Sequence, residues 1–99
     1  MHARTGTLQV SPERIDDVVA QLRNEQIPRY HGQQGYKGFT VLGDRPSGKV
    51  IGISYWESES DLQASDELGR EAREAAAATG QASSEPVRET FEVLLDEMV

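Results

Sequence analysis

Two strand-like runs on either side of a tight turn constrain this chain more than any other stretch. Residues 36–43 and 49–57 are rich in β-branched and aromatic side chains. Between them, Pro46 presets φ and Gly48 can adopt positive φ, as a turn requires. The pattern predicts an antiparallel β-hairpin.

The predicted hairpin has two apolar faces. Side chains alternate along each strand, so a turn centred between Pro46 and Ser47 assigns every residue to one face. An antiparallel sheet in a small domain usually exposes one face to water, so a second apolar face requires a second cover. One face pairs Leu42 with Ile51, Thr40 with Ile53 and Gly38 with Tyr55, and the other pairs Gly43 with Val50, Val41 with Gly52, Phe39 with Ser54 and Lys37 with Trp56.

A strand and a helix are predicted before the hairpin. Residues 3–10 alternate weakly between polar and apolar side chains, which favours a strand. Ser11 and Pro12 then form a helix start, and Pro28 is predicted to end the helix because it disfavours helical geometry at the residue before it. Residues 29–34 are interpreted as a polar connection.

A second helix and a last strand are predicted after the hairpin. Ser58 opens a capping box, and the helix is expected to run to about Thr79 with Gly80 at the C′ position. Residues 87–95 alternate clearly and predict a strand. The order β-α-β-β-α-β is typical of an α+β ferredoxin-like fold with a four-stranded antiparallel sheet and two helices on one face. The opposite apolar face then predicts a homodimer.

Composition excludes several classes of function. The 99 residues are predicted to form one domain, 1–99, and their net charge of -7 argues against nucleic acid or anionic membrane as partners. No cysteine is present, which excludes disulfides and thiolate chemistry. The sequence lacks an apolar run long enough to span a membrane, so a cytoplasmic protein is predicted.

Trp56 and His31 are the candidates for chemistry. Trp56 ends a strand next to a helix with small inward residues, where it can wall a pocket or simply fill the core. His31 shares its loop with Arg29, Tyr30 and Tyr36, a cluster that can bind an anionic or phenolic ligand or transfer a proton, unless His31 is merely solvated. No metal-ligand spacing is visible, so no metal site is predicted. Several polar residues line either a cavity or a wet strand edge: Thr5, Thr7, Gln9, Thr40 and Ser54.

The chain resembles the antibiotic biosynthesis monooxygenase family of dimeric α+β barrels. The resemblance is carried by the hairpin and by the stretches on either side of it, Gly-Tyr-Lys-Gly-Phe at 35–39 and Tyr-Trp-Glu-Ser-Glu-Ser-Asp-Leu at 55–62. The resemblance covers nearly the whole chain. It implies a homodimer with a ligand cavity between helices and sheet in each subunit. It also implies either oxygenation of phenols without a cofactor or degradation of heme.

The resemblance carries over only part of each functional set. For heme degradation it implies an asparagine on the first strand, a strand-end tryptophan and a histidine on the second helix, of which Trp56 alone is present. The sole asparagine is Asn24 in the first helix, so heme degradation is not expected. The phenol-oxidising branch has an asparagine on the strand of its tryptophan, where this chain offers Gly52 and Ser54.

Two hypotheses follow. The first is a cofactor-independent monooxygenase acting on a phenolic or polycyclic aromatic molecule, and the alternative is a non-catalytic dimeric ligand-binding or interaction module of the same fold. The residues expected to act in catalysis are Trp56, His31 and Tyr36, and those expected to bind ligand are Tyr55, Phe39, Ser54, Leu68 and Ala72.

Overall fold

The structure is a computed structural model that describes residues 1–98, so Val99 of the predicted domain lies outside the described part. Its α+β architecture is the predicted one, with the helices on one face of a four-stranded antiparallel sheet of order β2-β3-β1-β4. The strands are β1 (His2–Gln9), β2 (Tyr36–Asp44), β3 (Lys49–Trp56) and β4 (Val87–Glu92), and the helices are α1 (Ile15–Gln21), α2 (Ile27–Tyr30), α3 (Glu59–Ala64) and α4 (Asp66–Gly80).

The hairpin register is confirmed except at one pair. Tyr36, not Lys37, lies opposite Trp56, because the register shifts between Tyr36 and Gly38. Such a bulge places one extra residue on one strand and turns the following side chains to the other face. The bulge therefore brings the Tyr36 ring to the side of Trp56, with 5.6 Å between ring centroids.

The first helical segment continues past Pro28, where it was predicted to end. A 3-10 turn (Pro12–Arg14) leads into α1, a π-helical turn (Leu22–Gln26) follows, and α2 ends at Tyr30. The prediction was wrong because Pro28 lies in the first turn of α2, where its missing N–H costs nothing. Tyr30 is consequently helical and only 3% exposed, and it does not belong to a polar connection.

The second helical segment starts as predicted, but Ser65 divides it into α3 and α4 instead of one continuous helix, and it ends differently. The Ser58 hydroxyl accepts a hydrogen bond from the Asp61 N–H at 3.1 Å, which caps α3. Gly80 is the last residue of α4 and not its C′ residue, since Gln81 adopts the left-handed conformation with φ of 53°. Gly80 is needed for packing instead, because a Cβ there would lie 2.5 Å from the Val10 Cγ1.

β4 ends at Glu92, three residues before the predicted end. β1 begins at His2, so the strand has no neighbour to pair with beyond this point. The last backbone hydrogen bond runs from the Val93 N–H to the Met1 carbonyl at 2.8 Å. Beyond it, Leu94 and Leu95 are 87% and 82% exposed.

The core between sheet and helices consists of two clusters of buried side chains. The first contains Leu8, Val10, Ile15, Val18, Leu22, Val50 and Ala76, and the second contains Tyr30, Trp56, Leu62 and Ala72. None of the helices in residues 1–98 is both long and apolar enough to cross a membrane. The sheet face opposite the helices, called the outer face below, carries Leu42, Ile51, Ile53, Val87 and Phe91.

Candidate small-molecule site

A cavity lies between the helix-facing side of the sheet and α4. Leu8, Val50 and Gly52 are among the strand residues that line it, and Ala72 and Ala76 line it from the helix. The space free of protein atoms measures about 420 Å³ when the open mouth is included. Only about 40 Å³ of this space can hold the centre of a water-sized sphere without touching protein atoms. An aromatic ring would therefore have to displace side chains near the mouth.

The small inward residues predicted for the second helix form the helical wall of this cavity. Gly69, Ala72 and Ala76 of α4 are buried and line it. A helix with such short side chains leaves room above the sheet that leucine or phenylalanine at these positions would fill. The cavity is consistent with the prediction that the small side chains of this helix leave room beneath it.

Tyr30 is the centre of an aromatic cluster at one side of the cavity. Its ring centroid lies 5.7 Å from those of Tyr36 and Phe39 and 5.8 Å from that of Trp56, all typical of aromatic pairs. Burial raises the pKa of the Tyr30 hydroxyl, although Arg4 and Arg73 nearby oppose the shift. Tyr30 is therefore an uncharged phenol at neutral pH.

Trp56 is fully buried, and its ring is not one of the cavity-lining groups in residues 1–98. Its indole Nε1–H donates to the Ser54 Oγ at 2.9 Å. Ser54 does line the cavity. Because its oxygen already accepts from the indole, the Ser54 hydroxyl proton is free to donate elsewhere. Trp56 thus acts on the cavity through Ser54.

Tyr36 and His31 lie on the far side of Tyr30. The His31 side chain is exposed, and its ring centroid is 5.4 Å from that of Tyr36. Burial raises the pKa of Tyr36, which keeps this hydroxyl protonated as well. The structure brings these two rings together but separates them from the cavity by Tyr30.

The other predicted ligand residues divide between the two sides of the sheet. Phe39 and Ala72 line the cavity, while Leu68 packs beside the core cluster that contains Trp56. Tyr55 alternates with Trp56 along β3 and therefore lies on the outer face. The polar residues divide likewise, since Ser54 faces the helices whereas Thr5, Thr7, Gln9 and Thr40 lie on the outer face.

Arg4, Tyr30 and Arg73 also line the cavity, whereas the sequence placed Tyr30 in a loop cluster with His31, placed Arg73 on a solvated helix face and gave no role to Arg4. Arg4 is 3% exposed, and its Nη2 donates to the Leu62 carbonyl at 2.7 Å and to the Asp66 carboxylate at 2.6 Å. The alternation of side chains along β1 could have identified Arg4, because it places Arg4 on the same inward face as Leu8. Within residues 1–98 no cluster of three or more His, Cys, Asp or Glu side chains is arranged to hold a metal ion.

Comparisons with known proteins agree on the fold. ActVA-Orf6 of Streptomyces coelicolor, a monooxygenase solved with nanaomycin D, superposes with a TM-score of 0.79 at 17% identity over 99% of this chain and 91% of its own. An antibiotic biosynthesis monooxygenase superposes with a TM-score of 0.69 at 15% identity over 96% of this chain and 100% of its own. The chain has the fold of the antibiotic biosynthesis monooxygenases.

Proteins of this monooxygenase fold differ in reaction. The heme-degrader MhuD of Mycobacterium tuberculosis, solved with two hemes in its active site, has a TM-score of 0.70 at 19% identity over 99% of this chain and 100% of its own. Neither histidine of this chain lines the cavity. Sequence identities this low establish the shared fold and do not specify the reaction.

The sequence relatives are longer proteins. Uncharacterized protein Rv2557 of Mycobacterium tuberculosis is 37% identical over 67 residues, which cover 68% of this chain and 30% of the relative. The chain thus spans about a third of the length of the curated relatives it matches. No protein-family model matches the chain.

Proposed function

We propose that this chain forms a homodimer and binds a phenolic aromatic molecule in the cavity beneath α4, where it promotes oxygenation without a cofactor. The observation that carries the proposal is an apolar cavity with a few polar groups at its wall, which is the usual composition of a small-molecule site. Ser54 and Tyr30 supply hydroxyls and Arg4 and Arg73 supply guanidinium groups, while the rest of the lining is apolar or glycine.

The chemistry asked of the protein is modest. A phenolic substrate that loses a proton becomes an electron-rich anion that reacts with dioxygen directly. For an anthrone, a C–O bond forms at the CH₂ carbon, one oxygen atom becomes the new carbonyl and the O–O bond breaks. The other oxygen atom leaves as water with the two hydrogens of the CH₂ group. The protein binds the ring, favours its anion and limits access of water.

Trp56 is assigned a positioning role in this proposal. Its indole N–H fixes the Ser54 oxygen, so the Ser54 hydroxyl is held where it can donate to a substrate oxygen. Tyr36 and His31 lie farther out and would act on the substrate only through Tyr30 or after the cavity opens. Their catalytic assignment and that of Tyr55 as a ligand residue remain predictions.

The dimer is supported by the outer face. Leu42, Val87 and Phe91 are 48%, 54% and 51% exposed there, and Ile51 and Ile53 lie between them. These exposed apolar side chains share the face with Thr5, Thr7 and Glu89 of β1 and β4, and their number favours an interaction surface. A second copy of the chain covers it by symmetry, because both copies present the same surface.

Oxygen-dependent turnover of anthrone tests the proposed activity. Incubation in air is expected to yield anthraquinone faster than the buffer control does, and anaerobic incubation is expected to yield none. Trp56→Phe is expected to slow turnover, since the Ser54 hydroxyl loses the donor that orients it, while the variant remains folded and dimeric. Arg70→Met, an exposed change on α4, serves as the control.

Two outcomes would count against the enzyme. Equal rates with and without protein across one-, two- and three-ring phenols would leave the non-catalytic module as the better description. Unchanged turnover in Trp56→Phe would remove the role assigned to the indole N–H.

A further inference from the structure

Arg4 carries buried N–H groups that have no acceptor among residues 1–98. Its Nη2 donates to the Leu62 carbonyl, to the Ser65 hydroxyl at 2.9 Å and to the Asp66 carboxylate. Its Nε and Nη1 are buried and have no partner within residues 1–98. An unsatisfied N–H on a buried charge is costly, so these donors indicate an acceptor from outside the chain.

Arg73 brings a second guanidinium to the same cavity. Its Nη1 is also buried without a partner in the described residues. Burial lowers the pKa of Arg73, and repulsion from Arg4 and Arg88 lowers it further. Three cations therefore gather near one carboxylate, Asp66, which Arg4 and Arg88 share. This excess of positive charge occurs in a chain whose net charge is -7.

Two glycines make room for the guanidinium side chains. A Cβ on Gly69 would lie 2.5 Å from the Arg4 Nη1 and 2.9 Å from its Cζ. A Cβ on Gly6 would lie 3.1 Å from the Arg73 Cγ and Cδ. A side chain at Gly69 would therefore displace the Arg4 guanidinium, and one at Gly6 would crowd the stem of Arg73.

We propose that the cavity binds an aromatic ligand through an anionic oxygen, a carboxylate or an acidic phenolate, that accepts hydrogen bonds from Arg4 and Arg73. A guanidinium offers paired donors that match an oxyanion, and such charge-assisted bonds are strong. The apolar remainder of the lining favours a ring as the body of the ligand. This inference specifies the ligand class of the proposed function and rests on the same cavity.

The test compares two ligands that differ only in charge. Calorimetric titration with 1-hydroxy-2-naphthoate and with the uncharged 1-hydroxy-2-naphthamide is expected to favour the carboxylate by about 10- to 100-fold. Arg4→Met and Arg73→Met are each expected to lose that preference and leave amide binding nearly unchanged. Arg70→Met keeps it, because Arg70 is exposed and pairs with Glu67 and Glu74.

Arg4→Met is expected to fold. The Ser65 hydroxyl still donates to the Leu62 carbonyl at 2.7 Å, and the 46% exposed Asp66 still has Arg88 at 3.3 Å. Methionine fills the apolar space of the stem without a buried charge. Arg73→Met provides an independent variant on another element, so a folding defect in one of them does not remove the test.

The outcomes separate this inference from the proposed activity. Equal binding of acid and amide by the unmodified protein, or equal loss of both ligands in the arginine variants, would overturn the anion site even if anthrone is oxidised. An arginine-dependent preference for the acid without any oxygen-dependent turnover would support the anion site and contradict the oxygenase. If inorganic phosphate bound as tightly as 1-hydroxy-2-naphthoate, the proposal that the ligand is aromatic would be overturned.

Discussion

Ile53→Lys is expected to convert the proposed dimer into a monomer. Ile53 lies in the middle of the outer face, with Thr40 and Thr5 beside it on the neighbouring strands. A lysine there would bury an unpaired ammonium between two sheets, which costs several kcal/mol. We expect the dimer dissociation constant to rise by at least about 100-fold, as measured by sedimentation equilibrium.

The matched control is Ala78→Lys, which adds the same charge on the exposed side of α4. Both variants make this acidic chain less negative, so a change in net charge cannot by itself explain dissociation of only one of them. A dimer that survives Ile53→Lys, or an unmodified protein that is already monomeric at micromolar concentration, would contradict the proposed assembly.

Trp56→Ala is expected to lower the free energy of unfolding by about 3–5 kcal/mol, a large share of the stability of a typical domain. Trp56 is 0% exposed and packs edge-on against Tyr30 and Tyr36. Truncation therefore leaves a cavity that the rigid sheet cannot close. Urea unfolding followed by circular dichroism measures the loss.

Trp56→Phe separates the packing from the hydrogen bond. Phenylalanine keeps most of the aromatic contacts and removes the indole donor, so its loss of stability is expected to stay below about 2 kcal/mol. A loss in Trp56→Ala no larger than that of Trp56→Phe would contradict the stabilising role assigned to packing of the Trp56 ring.

The fold was predictable because each local signal agreed with the others. The turn at Pro46 and Gly48 fixed the hairpin register, and the order β-α-β-β-α-β placed both helices on the same side of the sheet. The errors came from tertiary context. Gly80 looks like a helix cap but serves packing against Val10, and Pro28 looks like a helix end but lies in the first turn of α2.

The candidate site was less predictable than the fold. Trp56 and Ser54 could be assigned to one strand face, yet their hydrogen bond depends on rotamers that alternation does not specify. Tyr30 was placed in a loop and not at the cavity because the π-helical turn before Pro28 has no simple sequence signature. Arg4 was missed because a charged residue next to a chain end resembles a solvated one, although its inward phase on β1 placed it with Leu8.

The central claim is that the cavity beneath α4 is where this protein binds its ligand. Trp56 is the only tryptophan, so its indole N–H gives one signal in a ¹⁵N–¹H correlation spectrum, and that N–H bonds to the cavity residue Ser54. Titration with 1-hydroxy-2-naphthoate is expected to shift this signal, together with those of Gly69 and Ala72, along one saturable curve. Saturable shifts confined to outer-face residues such as Ile53 and Phe91, with the indole signal unmoved, would contradict the claim.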